Sequence, residues 1–147
     1  MYYHGTKANF NEFNKAGTGK HGRGFYFTPD YNEACHFAHT LAGDGSSEDP
    51  KVFHVELLHS NLFNTMNAEQ CKEVCQTLGV SYYVPRSVGG PKEHYHHLAK
   101  QLKQHGISDD LNKTLHDLGF DGIIYDLMEH VIIFNPEHIR IIKIEKI

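Results

Sequence analysis

Cysteine is scarce in this chain. The three present, Cys35, Cys71 and Cys75, form an odd set without the spacing of a disulfide framework. Cys71 and Cys75 fall one helical turn apart in an amphipathic stretch, so reduced, packed thiols are expected. Long apolar runs are missing too: none approaches the roughly 18 residues that span a bilayer, and no membrane association is expected. No charged n-region followed by an apolar h-region opens the sequence, so no cleaved secretory signal is expected and the cytoplasm is the default compartment. There is no basic excess. A formal net charge of -4 offers no broad cationic surface to phosphate backbones, which disfavours tight non-specific nucleic-acid binding without excluding a nucleic-acid substrate.

What remains is globular. A chain of 147 residues, 39% hydrophobic and 22% charged, has the size of one domain around one core, expected to span residues 1–147. Thirteen histidines are many for this length, so one histidine by itself is a weak signal.

Tyr2-Tyr3-His4 reads as a short strand that Gly5 ends, followed by a polar stretch from Asn9 to Lys15 anchored by Phe10 and Phe13. The glycine-rich segment from Gly17 to Gly24 reads as a loop and Phe25-Tyr26-Phe27-Thr28 as a strand. Thr28 as N-cap and Pro29 at the first helical position predict a helix stopped by Gly43, with Ala34, Phe37, Ala38 and Leu41 on one face. Asp44 to Pro50 has turn composition and Val52 to Leu57 a strand pattern. Asn67 with Gln70 starts a helix through Leu78 that Gly79 closes, Pro91 starts another running to Gly106, and Ser108 caps a third with Leu111, Leu115 and Leu118 on one stripe. From Gly122 the pattern turns to strands: Ile123 to Tyr125, Val131 to Phe134, and Arg140 to Ile144 after a turn at Asn135-Pro136. Strands at both ends with helices between them imply an α+β architecture.

Three separated segments stand out: Tyr3-His4-Gly5-Thr6, Gly22-Arg23-Gly24-Phe25-Tyr26-Phe27-Thr28, and Glu129 at the mouth of the apolar strand Val131 to Phe134. Each is ordinary alone; their order, their strand contexts and an aromatic at position 37, on the helix after Tyr26, are informative together. In this order they resemble the His-Tyr-Glu branch of the ADP-ribosyltransferases, the branch of poly(ADP-ribose) polymerases and diphtheria-type toxins. The resemblance is closest to the small domains of phage and mobile-element polyvalent proteins. Gly119-Phe120-Asp121-Gly122-Ile123-Ile124 and Pro136-Glu137-His138-Ile139 extend it to most of the chain.

The resemblance implies two packed, mainly antiparallel sheets clasping an NAD cleft, with flanking helices and a helical insertion at about 67–118. It implies Glu129, His4 and Tyr26 as catalytic residues, and His4, Gly5, Thr6, Arg23, Gly24, Phe25, Tyr26, Ala34 and Phe37 around NAD+. His4 would bond a hydroxyl of the adenosine-side ribose, Gly5 backbone the carboxamide, Tyr26 and Phe37 the two faces of the nicotinamide, and Glu129 the nicotinamide ribose. Against this stands the simpler reading of His4 as a strand histidine, Phe37 as core and Glu129 as a strand-edge charge. Ala34 stands where polymerases commonly carry a serine, Phe37 where a tyrosine is more frequent, and Leu127 is neither acidic nor an amide, unlike the arginine-modifying branch.

Expelling nicotinamide from NAD+ releases a neutral ring and leaves oxocarbenium character on the ribose. Such a site needs a ring clamp, hydrogen bonds to the ribose and a negative charge where positive charge develops, which requires no metal. The expected activity is NAD+-dependent transfer of one ADP-ribose unit to a macromolecular acceptor, protein favoured over nucleic acid. Such a chain fits a toxin or effector of a phage or mobile element, delivered into a host cell. An NAD glycohydrolase and a silent NAD- or ADP-ribose-binding module are the alternatives. An RNA-phosphate transferase is disfavoured for want of placeable His and Arg pairs. Lys20 and Arg23 offer contacts for a pyrophosphate without P-loop spacing, and His94, His96 and His97 do not share one helical face as metal ligands would. Nothing in the sequence sets the oligomeric state.

Overall fold

Val, Ile and Phe on several strands carry much of the core. The computed structural model describes residues 1–14, 16–40, 49–58, 61–83 and 91–147. In chain order these form β1 (Tyr2–Thr6), β2 (Gly17–Gly19), β3 (Gly22–Phe27), α1 (Tyr31–Thr40), β4 (Lys51–Leu57), β5 (Leu62–Asn64), α2 (Ala68–Thr77), α3 (Pro91–Gln104), α4 (Leu111–Asp117), β6 (Gly122–Ile124), β7 (Val131–Ile133) and β8 (Ile139–Lys146). Two sheets result, one ordered β1-β4-β8 and the other β2-β3-β7-β6-β5. Every pairing is antiparallel except β5 with β6. A parallel pair needs a long crossover, and the helices α2 to α4 supply it. The fold is α+β, as the sequence implied.

Alternation along β3 and β7 sends Phe25, Phe27, Val131 and Ile133 into a core shared with Phe53 and Val55 of β4. Phe10 and Phe13 pack on it, with Phe10 stacked on Phe53 at 4.9 Å, so the polar stretch is anchored as expected. A second core joins Phe63 and Ile123 to Val74, Leu98, Leu102, Leu111 and Leu115 of the crossover helices. Cys71 and Cys75 are buried there as free thiols. Each large aliphatic or aromatic side chain so buried stabilises the fold by about 1.5–3 kcal/mol. Among the described residues no helix is long and apolar enough to cross a membrane.

Several local expectations change. Gly5 does not end β1 but sits inside it, where an added Cβ would fall 1.7 Å from the Ala34 carbonyl oxygen; its missing side chain lets α1 rest on the strand. The glycine-rich segment is a hairpin of β2 and β3 rather than a loop. Asp30, not Thr28, caps α1, its Oδ1 accepting from the Asn32 and Glu33 amides, while Thr28 Oγ1 accepts from Asp30 N–H. Asp110, not Ser108, caps α4 by accepting from Lys113 N–H. Asn67 does cap α2, but Gln70 Oε1 turns to the Asn64 amide instead of completing a capping box. Leu41, Gly43 and the turn from Asp44 fall, up to residue 48, outside the described residues.

The hairpin is held by one buried amide. Asn112 of α4 donates to the carbonyls of His21 at 2.8 Å and Arg23 at 2.9 Å and accepts from the Tyr95 hydroxyl at 2.7 Å. Gly22, at φ +86°, makes the turn, and a Cβ there would meet Asn112 and Tyr95. Asn112→Ala removes three hydrogen bonds, two of them buried, so it should lower stability by about 2–4 kcal/mol. By calorimetry that is a fall of about 5–15 °C in Tm. An unchanged Tm would show that the hairpin does not depend on this side chain.

Candidate active site

A cleft of about 490 Å3 opens where β1, the β2–β3 hairpin, α1 and the end of β6 meet. Its walls are Tyr3, His4 and Gly5 from β1, Gly19, Lys20 and His21 from the hairpin turn, Tyr26, Phe27 and Thr28 from β3, Phe37 from α1, and Tyr125 and His130. The volume is that of a small-molecule site.

His4 Nδ1 lies 2.7 Å from the Tyr26 carbonyl oxygen, which can only accept, so Nδ1 carries the proton and Nε2 is the nitrogen left as an acceptor. Burial holds this imidazole below the ordinary histidine value, opposed by the bond to Tyr26. Phe13 and Phe27 pack edge-on against the ring and fix its plane. Tyr26 is also pinned. Its hydroxyl donates to the Gly22 carbonyl, accepts from His21 N–H at 3.1 Å, and is pushed to higher pKa by burial. Gly19 faces the ring so closely that a Cβ would come within 2.7 Å of it.

Tyr125 lies between two imidazoles, stacked on His21 at 4.4 Å and on His130 at 5.8 Å. Burial raises the Tyr125 phenol most, with the Asp126 charge adding to the shift. His130 meets Asp126 Oδ2 at 2.5 Å through Nδ1 and the Glu33 carboxylate of α1 through Nε2.

Of the residues singled out in the sequence, His4, Gly5, Tyr26 and Phe37 come together on this cleft, with Lys20 beside them. The others lie elsewhere. Thr6 Oγ1 accepts from the Ala8 amide at 3.0 Å. Phe25 is in the inter-sheet core and Ala34 is fully buried under Gly5. Arg23 and Gly24 line a separate hollow of about 250 Å3 with Asp110, Asn112, Lys113 and His116. Strand parity accounts for part of this, since Arg23 and Phe25 alternate with Tyr26 along β3.

Glu129 stands exposed at the rim, outside the cleft lining, one residue before His130. Its negative charge adds to the burial that raises the Tyr2 phenol. It ends the turn between β6 and β7, closed by a Tyr125 N–H to His130 carbonyl bond of 3.1 Å, and adopts φ +59°. A side chain there costs on the order of 1–2 kcal/mol, and such positions cluster at active sites.

His21, Tyr125, His130 and Glu33 were not singled out from the sequence. For His130 the adjacency to Glu129 was the available signal; the rest depend on tertiary convergence. Of the histidines on α3, His96 lies 5.1 Å from the His21 ring and His97 Nε2 meets the Tyr83 carbonyl. Among the described residues no three His, Cys, Asp or Glu side chains gather as metal ligands.

The family model described as ADP-ribosyltransferase in polyvalent proteins matches residues 1–146. No curated protein and no solved structure matches the chain. A match over nearly the whole length, on two sheets that clasp a cleft, establishes that the chain belongs to the ADP-ribosyltransferases of polyvalent proteins.

Proposed function

We propose that the chain uses NAD+ and transfers one ADP-ribose unit to a macromolecular acceptor, protein before nucleic acid, with release of nicotinamide. The observation that carries this reading is the convergence of His4, Gly5, Tyr26 and Phe37, from three separate elements, on one cleft. The nicotinamide ring would stack between Tyr26 and Phe37, where each aromatic contact contributes about 0.5–1.5 kcal/mol and the cationic ring gains further from the π faces. His4 Nε2 would accept from a ribose hydroxyl. Glu129, turned inward from the rim, would hold the nicotinamide ribose and offset the positive charge that grows on it as the bond to the ring breaks. The acceptor then adds at the anomeric carbon and releases its proton to solvent. Residues 1–147 serve this reaction as one domain.

Incubation with labelled NAD+ and a whole-cell lysate, followed by protease or nuclease digestion, tests the reading. Label on a protease-sensitive acceptor is expected; free labelled ADP-ribose alone would make the chain an NAD glycohydrolase, and NAD+ binding without turnover would make it a binding module.

Glu129→Gln should lower turnover by at least about 100-fold while NAD+ affinity stays within about tenfold, because the charge acts mainly on the transition state. Glu129→Gly should be equally inactive yet melt no lower than wild type, since glycine relieves the left-handed backbone. Wild-type turnover in either variant removes Glu129 from the mechanism.

The acceptor role of His4 requires a neutral ring, and its folded pKa lies below the unfolded value of about 6.5. The neutral form therefore persists as pH falls from 8 through 6.5, and NAD+ affinity should be flat over that window and drop only below it. Below 6.5 the unfolded chain binds the proton more readily, so His4 also makes stability decline there as pH falls. An affinity inflection at or above pH 6.5 that disappears in His4→Gln would contradict a neutral His4.

A further inference from the structure

Two contacts between one imidazole and two carboxylates beside the cleft are far more buried than the surface ion pair of Arg140 and Glu56. His130, Asp126 and Glu33 expose 13%, 7% and 21% of their side chains, against 61% and 51% for Arg140 and Glu56. Exposed pairs contribute little, whereas cutting a buried one leaves a polar group unpaired away from water.

The buried set links two parts of the site. Asp126 Oδ1 accepts from the Met128 and His130 amides, both at 3.1 Å, and its carbonyl accepts from Glu129 N–H at 3.2 Å. One aspartate thus organises three consecutive amides centred on Glu129. Its Oδ2 holds His130 Nδ1, and His130 Nε2 reaches across 97 residues of sequence to Glu33. Glu33 lies on α1 one turn before Phe37. Both imidazole nitrogens face carboxylates, so neither is left to bond a substrate in the cleft.

We infer that His130 is a positioning residue: with Glu33 and Asp126 it braces the turn that carries Glu129 against the helix that carries Phe37. The inference rests on the transferase reading above, in which the carboxylate and the ring clamp must keep one spacing. Tyr125, stacked on His130 and His21, extends the brace to the β2–β3 hairpin.

Glu33→Ala cuts the α1 end and leaves the bonds of Asp126 within the turn in place, while Glu33→Gln keeps an acceptor oxygen for Nε2. In the full chain, Glu33→Ala should lower kcat for NAD+ about 10- to 100-fold, the scale of a small misplacement of reacting groups, with KM little changed. Amide exchange at Met128, Glu129 and His130 should quicken, a readout that needs no activity, and Glu33→Gln should recover most of the turnover. Unchanged kcat and exchange in Glu33→Ala overturn the brace, as does a loss of kcat that Glu33→Gln fails to recover. No NAD+ turnover by the wild-type chain, together with quickened exchange in Glu33→Ala, supports the brace and overturns the transferase reading alone.

Discussion

Two backbone hydrogen bonds join the sheets at the cleft. Tyr3 N–H donates to the Thr28 carbonyl at 2.8 Å, and Thr28 N–H donates to the Tyr3 carbonyl at 2.9 Å. This single bridge connects β1, in the three-stranded sheet, to the chain just past β3, in the five-stranded one. It sets His4 beside the Tyr26 carbonyl, and the bond between them repeats the tie through a side chain. Phe27, Phe53, Val131 and Ile133 fill the space behind, so the bridge is closed by apolar packing. The cleft is the edge of that junction.

On this frame α1 and the hairpin are placed by what glycine leaves out. The Ala34 carbonyl occupies the space of a Gly5 side chain, which lets one helix bring Phe37 to the cleft and Glu33 to His130. Gly22 turns the hairpin so that Asn112 can reach two carbonyls and Tyr26 can be held by Gly22 and His21. Packing of backbone on backbone leaves little room to adjust, and the site inherits that rigidity. The rim turn at Glu129 differs: its backbone is in a costly conformation, held by Asp126 and His130.

Strands were legible in the sequence wherever apolar residues recur beside turn residues, as at Val52 to Leu57 and Val131 to Phe134. Of the crossover helices, α2 was legible through its Asn67 cap and α4 through Leu111 and Leu115, although Asp110 rather than Ser108 caps α4 and Leu118 lies exposed past its end. The β2–β3 hairpin was not legible, because Gly17 to Gly24 has the composition of a loop and is held partly by Asn112, far along the chain, as well as by the nearby Tyr26 hydroxyl. Gly5 was misread for a similar reason: a local rule makes glycine a terminator, while here it answers a helix 29 residues away. Of the motif residues marked out by order and context, His4, Tyr26 and Phe37 line the cleft and Glu129 lies outside its lining. Glu33 and His130 could not be marked out, since their link exists only once α1 and the β6–β7 turn are folded together.

The most direct measurement is a crystal structure of the Glu129→Gln chain with NAD+ bound, a substitution chosen to slow turnover. The account predicts the nicotinamide ring between Tyr26 and Phe37, His4 Nε2 on a ribose hydroxyl, and residue 129 turned inward from the rim to the nicotinamide ribose. NAD+ seated instead in the hollow of Arg23 and Lys113, or a cleft whose Tyr26 and Phe37 make no contact with the bound nicotinamide, would contradict it.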